Sequence, residues 1–216
     1  MIKYEIRYPL DTFNEKQLKE IELGIDAGID VGIYAIPIYH ASQMREIRLG
    51  LEKGLNVSLY LNRFLHSKDM RIIRLGLEAG IDVSLICDPK FNYRQREEIF
   101  LGLISKVDVS LYANEKYNEW KMREVRLGLE KGIDLSKYLE THNHHQIHQI
   151  RLALEAGLDV TLIDDVRYKQ AHMMEMRTAK QMGYDITPFL DPDLSIDEVR
   201  DRKNKMILER KRKRCT

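Results

Sequence analysis

The chain has few of the residues that usually betray chemistry. Its 216 residues include two cysteines, Cys87 and Cys215, one tryptophan and five prolines. Two cysteines so far apart give no disulfide framework and fit a reducing compartment, so a cytoplasmic location is expected. No apolar run approaches the roughly 18 to 20 residues that span a bilayer, which argues against a membrane partner. The opening MIKYEIRYPL has no basic segment followed by an apolar stretch, so no secretory signal is read. There is no P-loop, GxGxxG, HExxH, CxxC pair or nucleophile elbow. Catalysis needs a convergent constellation, and none is visible. We therefore assign no catalytic residue and no cofactor, and expect a protein that is not an enzyme.

Acidic and basic residues nearly balance at a net charge of +1, but they are unevenly placed. Residues 202–216 hold eight basic residues and one acid, so this segment carries +7 and leaves −6 for residues 1–201. A body that binds nucleic acid would show the opposite sign.

A 26-residue repeat dominates the chain. Gly28, Gly54, Gly80, Lys106, Gly132, Gly157 and Gly183 follow one another at steps of 26, except for one step of 25. Such self-similarity marks a repeat array. Met44, Ile47 and Leu51 take the spacing of one helical face, and the matching columns stay apolar almost throughout. Asn14, Asn92, Asn118 and Asn143 stand three residues before Gln17, Gln95, Lys121 and Gln146, as in a capping box. The glycine column predicts left-handed closure of a helix of about twelve residues. Asp-Val-Ser-Leu-Tyr follows, and its seventh copy contains Thr187-Pro188, an N-cap and a helical first position. This predicts one further turn of α or 3₁₀ helix, stopped by Pro37, Pro89 and Pro192. Leucine-rich repeats place a strand at this point, but Thr-Pro argues against one. Gly24, Gly50, Gly76, Gly102 and Gly128, with Ala153 and Ala179, lie inside the helices, where glycine costs about 1 kcal/mol against alanine. Close approach of the neighbouring unit is the expected offset.

The pattern MxEIRLGLExGIDVSxYAxPxY, over residues 13 to about 192, resembles short repeats of bacterial and mobile-element proteins. More loosely it is similar to leucine-rich-repeat variants and HEAT arrays. The resemblance implies an α-solenoid and carries no catalytic residues. The expected fold is all-α: a right-handed solenoid of seven repeats over 14–192, an N-terminal cap segment 1–13, and a C-terminal capping helix and basic tail, 193–216. That last helix should start at Ser195, with Glu198 completing its cap.

Several positions are candidates for function. Arg48, Arg74, Arg126, Arg151 and Arg177 stand beside Glu52, Glu78, Glu130 and Glu155, which predicts a self-paired surface ladder between units. His142, His144, His145 and His148 cluster at a helix start, and the i, i+4 pair His144 and His148 is a weak metal candidate. The fourth repeat deviates most. Arg96 replaces a core methionine, Phe100 an arginine, Ile104 a glutamate and Lys106 the closing glycine. Arg96 and Phe100 read as a cationic and an apolar group that have exchanged places. Ile72, Phe100 and Ile104, bordered by Trp120, form the candidate partner-binding patch. The tail residues Arg210, Lys211, Arg212, Lys213 and Arg214 are candidates for an acidic partner or nucleic acid. The leading expectation is a protein-interaction scaffold, with self-association as one form of it. A nucleic-acid-associated protein acting through the tail is the alternative.

Overall fold

A computed structural model describes residues 6–214. Among them every regular element is helical. The three-turn helices are α1 (Glu15–Asp26), α2 (Ala41–Glu52), α3 (Ser67–Glu78), α5 (Tyr93–Ile104), α6 (Glu119–Leu129), α7 (His144–Glu155) and α8 (Gln170–Gln181). The short α4 (Ser84–Cys87) and single 3₁₀ turns such as Val57–Leu59 fill the second half of most repeats, and α9 (Ile196–Arg214) ends the chain. The chain divides into one compact unit up to Lys106 and a second from Val107. Within the first, α1 packs on α2, α2 on α3 and α3 on α5; within the second, α6, α7, α8 and α9 pack in succession.

The periodic apolar columns form the core. Met44, Ile47, Met70, Ile73, Ile99, Met122, Val125, Ile147, Ile150, Met173 and Met176 are buried, whereas Leu51 is half-buried. Helix ends form as the spacing predicts. Asn14, Asn92 and Asn143 make reciprocal capping boxes with Gln17, Gln95 and Gln146. Gly54 takes φ +67°, its N–H donates to Leu51 O, and Leu55 N–H donates to Gly50 O, which is Schellman closure. The turn that follows is capped differently from expectation. Asp185, not Thr187, is the acceptor: its carboxylate takes the Thr187 N–H at 3.0 Å. Asp30, Asn56, Asp82, Asp108, Asp134 and Asp159 repeat this bond two residues on.

Lys106 is the one non-glycine residue at positive φ, +58°, among the described residues. A side chain in this region costs about 1 kcal/mol or more. Lys106→Gly should therefore raise stability by about 1 kcal/mol and the melting temperature by roughly 2–4 °C. An unchanged melting curve would show that the strain is relieved elsewhere.

The helical glycines face their own unit, which corrects the expected reason for them. A Cβ on Gly24 would lie 1.9 Å from Tyr34 Oη, and one on Gly50 would lie 1.8 Å from Tyr60 Oη. These hydroxyls donate to Glu20 O and Glu46 O, four residues before each glycine. The tyrosine ten residues on thus lies across its own helix, and the atoms nearest the added Cβ all come from the same repeat. At Ala153 and Ala179 the residue ten places on is Ile163 or Phe189, neither with a hydroxyl.

In three repeats a glutamine joins the helix to the entry of the next repeat. Gln17 Oε1 accepts the Asn14 N–H, and its Nε2 donates to Pro37 O and Tyr39 O at 3.1 and 2.7 Å. Gln43 reaches Arg63 O and Leu65 O, and Gln146 reaches Val166 O and Tyr168 O. Lys121 Nζ and His172 Nε2 donate from the same column to Leu139 O and Phe189 O. The capping signal was legible in the sequence; this second use of the amide was not.

Candidate functional site

Two clefts occupy the same place in the repeat. One, of about 240 Å³, lies between α3 and α5 and is lined by Lys68, Arg71, Ile72, Tyr93, Glu97 and Phe100, over Leu75 and Leu101. The other, of about 450 Å³, lies between α6 and α7. Its α6 wall, Trp120, Arg123, Glu124 and Leu127, stands 52 residues after Lys68, Arg71, Ile72 and Leu75, which is two periods. Its α7 wall carries His144, His145, His148 and Arg151. Arg71 and Leu75 recur as Arg123 and Leu127, while Lys68, Ile72, Tyr93, Glu97 and Phe100 give way to Trp120, Glu124, His144, His148 and Arg151.

An ionic triad sets the floor of this groove elsewhere. Arg74 Nε donates to Glu46 Oε2 of the preceding helix at 2.8 Å, and the Arg74 guanidinium also pairs with Glu78 one turn on. Arg48 does the same with Glu20 and Glu52, and Arg151 with Glu124 and Glu155. The predicted ladder is corrected in two respects. The inter-unit carboxylate comes from the preceding helix and from a different column, Glu20, Glu46 and Glu124. Moreover, Arg74, Arg126 and Arg151 are buried, so this is not a surface ladder. Burial opposes the charge on Arg74, but hydrogen bonds and charge from Glu46 and Glu78 outweigh it and raise its pKa. In the seventh unit both acids are glutamines. Arg177 donates to Gln149 and Gln181, and burial lowers its pKa.

Between α3 and α5 the whole triad is apolar. Ile72 stands in the Glu46 position, Phe100 in that of Arg74 and Ile104 in that of Glu78. Ile72 is 5 % exposed and does not belong to an open patch; Phe100 is half-buried beside it in the cleft, and Ile104 is 44 % exposed. Replacing a buried charged cluster as a unit is energetically permissible, whereas breaking one is costly.

Arg96 belongs to a separate replacement, so the expected exchange with Phe100 is not what occurs. Its guanidinium donates to Asp69 Oδ1 at 2.6 Å and to Asp88 O at 3.2 Å. Asp69 stands in the glutamine column and Arg96 in the methionine column, 27 residues on, as Gln43 and Met70 do. A carboxylate cannot donate to carbonyls, and here the arginine donates instead, to a different carbonyl, Asp88 O.

The histidines divide into two kinds. His142 is buried: its Nε2 donates to Asp164 O at 2.8 Å and its Nδ1 meets the Thr141 hydroxyl, a structural role. His144, His145 and His148 line the second cleft. Trp120, 43 % exposed, stacks on His144 at 6.0 Å between ring centroids, and His144 lies 3.9 Å from His145. His148 Nδ1 is 3.1 Å from Glu124 Oε2. Among the described residues no group of three His, Cys, Asp or Glu side chains is placed to hold a metal ion. Comparison with family models, curated proteins and solved structures gives no match.

The tail is partly engaged. Ser195 and Glu198 form the expected cap of α9, and Val199 is buried. Arg200 and Lys203 pair with Glu175, continuing the inter-unit contact of the triads. Arg210 donates to Met182 O at 2.7 Å and lies over the Tyr184 ring, so it holds α9 to the last repeat. Lys211 lines the same hollow, while Arg212 and Lys213 extend beyond it as exposed residues. No described helix is long and apolar enough to cross a membrane.

Proposed function

We propose that the 26-residue units build one right-handed α-solenoid of seven short repeats, capped by α9, and that it acts as a protein-interaction scaffold without catalysis. The observation that carries this reading is the pair of grooves at one register, walled by residues that differ while the framework columns persist. Solenoids commonly derive specificity from such variable positions on a repeated frame. In the first unit the groove between α3 and α5 is the partner site. Its apolar floor, Ile72 and Phe100, is flanked by Lys68, Arg71 and Tyr93, the aromatic, cationic and apolar mixture typical of interface anchors.

The triple change Ile72→Glu, Phe100→Arg and Ile104→Glu recreates the ionic triad of the other junctions. Changing Phe100 and Ile104 alone would place an arginine beside buried Ile72 with no inter-unit carboxylate. The triple variant should keep its helical circular dichroism and lose the partner. A photo-crosslinking residue at Tyr93 should label one polypeptide in native lysate, and the triple change should abolish that label. Equal labelling from the exposed α1 position Lys19, or labelling that survives the triple change, would end this reading.

A further inference from the structure

The second groove has a different chemistry. Its wall presents Trp120, with the His144 imidazole stacked on it and the His145 imidazole tilted against that of His144. Only one carboxylate lines it, Glu124, and Glu124 Oε2 already accepts from Arg151 Nε at 2.8 Å and faces His148 Nδ1. Arg151 is further neutralised by Glu155. Arg123 is exposed at the cleft and makes no ion pair among the described residues, so its guanidinium is the uncompensated charge of the groove. A flat aromatic platform beside an open guanidinium fork matches a planar ring joined to a phosphate. Nucleobases stack on aromatic side chains, and the fork takes phosphate oxygens bidentately. The volume, about 450 Å³, is within the usual range for a small-molecule site.

We infer that the α6–α7 groove is a binding site for a nucleoside monophosphate, its base stacked on Trp120 and its phosphate held by Arg123 with the imidazoles of His144 and His145. The inference stands apart from the protein-partner reading, which is tested in the other unit.

Protonation is coupled to this binding. Burial lowers the His144 pKa, and the neighbouring His145 lowers it further; Glu124 and Glu119 act against this, and Lys121 with it. Arg123 and Arg151 also face the cleft as cations, His148 faces it as a further imidazole beside Glu124, and Gln170 from α8 is neutral. A phosphate dianion favours the imidazolium, so the bound pKa lies above the free one. The complex then takes up a proton between those two values, and affinity for the dianion rises as pH falls through that window, while the ligand's own second ionisation, at about 6, reduces the dianion fraction at its lower end.

Trp120 is the single tryptophan of the chain, so tryptophan emission excited beyond the absorption of the 11 tyrosines reports this groove. Adenosine 5′-monophosphate should quench it saturably, at least about threefold more tightly at pH 6 than at pH 8. Adenosine and inorganic phosphate, each lacking one half of the ligand, should bind at least about tenfold more weakly. Arg123→Gln changes an exposed side chain; it should keep the emission and circular dichroism of the free protein and lose about tenfold in affinity. The double change His144→Gln, His145→Gln should flatten the pH dependence. The inference is overturned if the monophosphate gives no saturable quenching at either pH. Equal binding of adenosine, unaltered binding by Arg123→Gln, or a pH dependence that survives the double histidine change would also overturn it.

Discussion

Asp69→Ala should cost about 3–5 kcal/mol of folding stability, the usual penalty for stripping a buried charge of its partner. Arg96 and Asp69 are both buried, and Arg96 Nε has no hydrogen-bond partner even in the intact pair. Without Asp69 the guanidinium would keep one hydrogen bond, to Asp88 O at 3.2 Å, and only the half-buried Asp88 carboxylate, not bonded to it, as a nearby charge. The double change Asp69→Gln, Arg96→Met restores the pairing of Gln43 with Met70. It should lie within about 1 kcal/mol of the parent or exceed it, since a well-packed apolar replacement of a buried ion pair is often stabilising. Urea titrations of the single and double variants make the comparison. If Asp69→Ala unfolds within about 1 kcal/mol of the parent, Asp69 is not what compensates the buried Arg96 charge.

Gly50→Ala should destabilise the first unit, although alanine is the better helix former by about 1 kcal/mol. Its Cβ would stand 1.8 Å from Tyr60 Oη and 3.0 Å from Val57 Cγ1. Tyr60 is fully buried and cannot swing away, so overpacking of about 1–3 kcal/mol opposes the helical gain. Gly50→Leu should be worse, and Gly76→Leu comparable, with Val83 Cγ1 only 2.7 Å from the added Cβ. Tyr60→Phe in the Gly50→Ala background should recover part of the loss. It removes the clashing oxygen at the cost of a long bond to Glu46 O, 3.3 Å, and it copies the Ala179 and Phe189 pair of the seventh unit. Melting curves of the four proteins decide the matter. A Gly50→Ala protein as stable as the parent would disprove the role of the tyrosine, and the absence of any rescue would shift the clash to Val57.

The sequence alone determined the helices, their twelve-residue length, their asparagine caps and their left-handed ends. Each follows from residues within one turn of one another: Asn14 with Gln17, or Gly54 with Leu55. It also marked the fourth repeat as deviant, because Arg96, Phe100 and Ile104 break columns that are regular elsewhere. It could not say what compensates them. Ile72 answers Phe100, and Asp69 answers Arg96, from 28 and 27 residues away, a separation that becomes adjacency only when α3 packs on α5. The same holds for the glutamine bridges, the glycines under Tyr34 and Tyr60, and the division of the histidines between a buried His142 and a groove wall. Local hydrogen bonds and φ preferences are written into neighbouring residues. Which side chain pairs with, covers or crowds another depends on how successive helices are set against each other, and only the tertiary structure decided that.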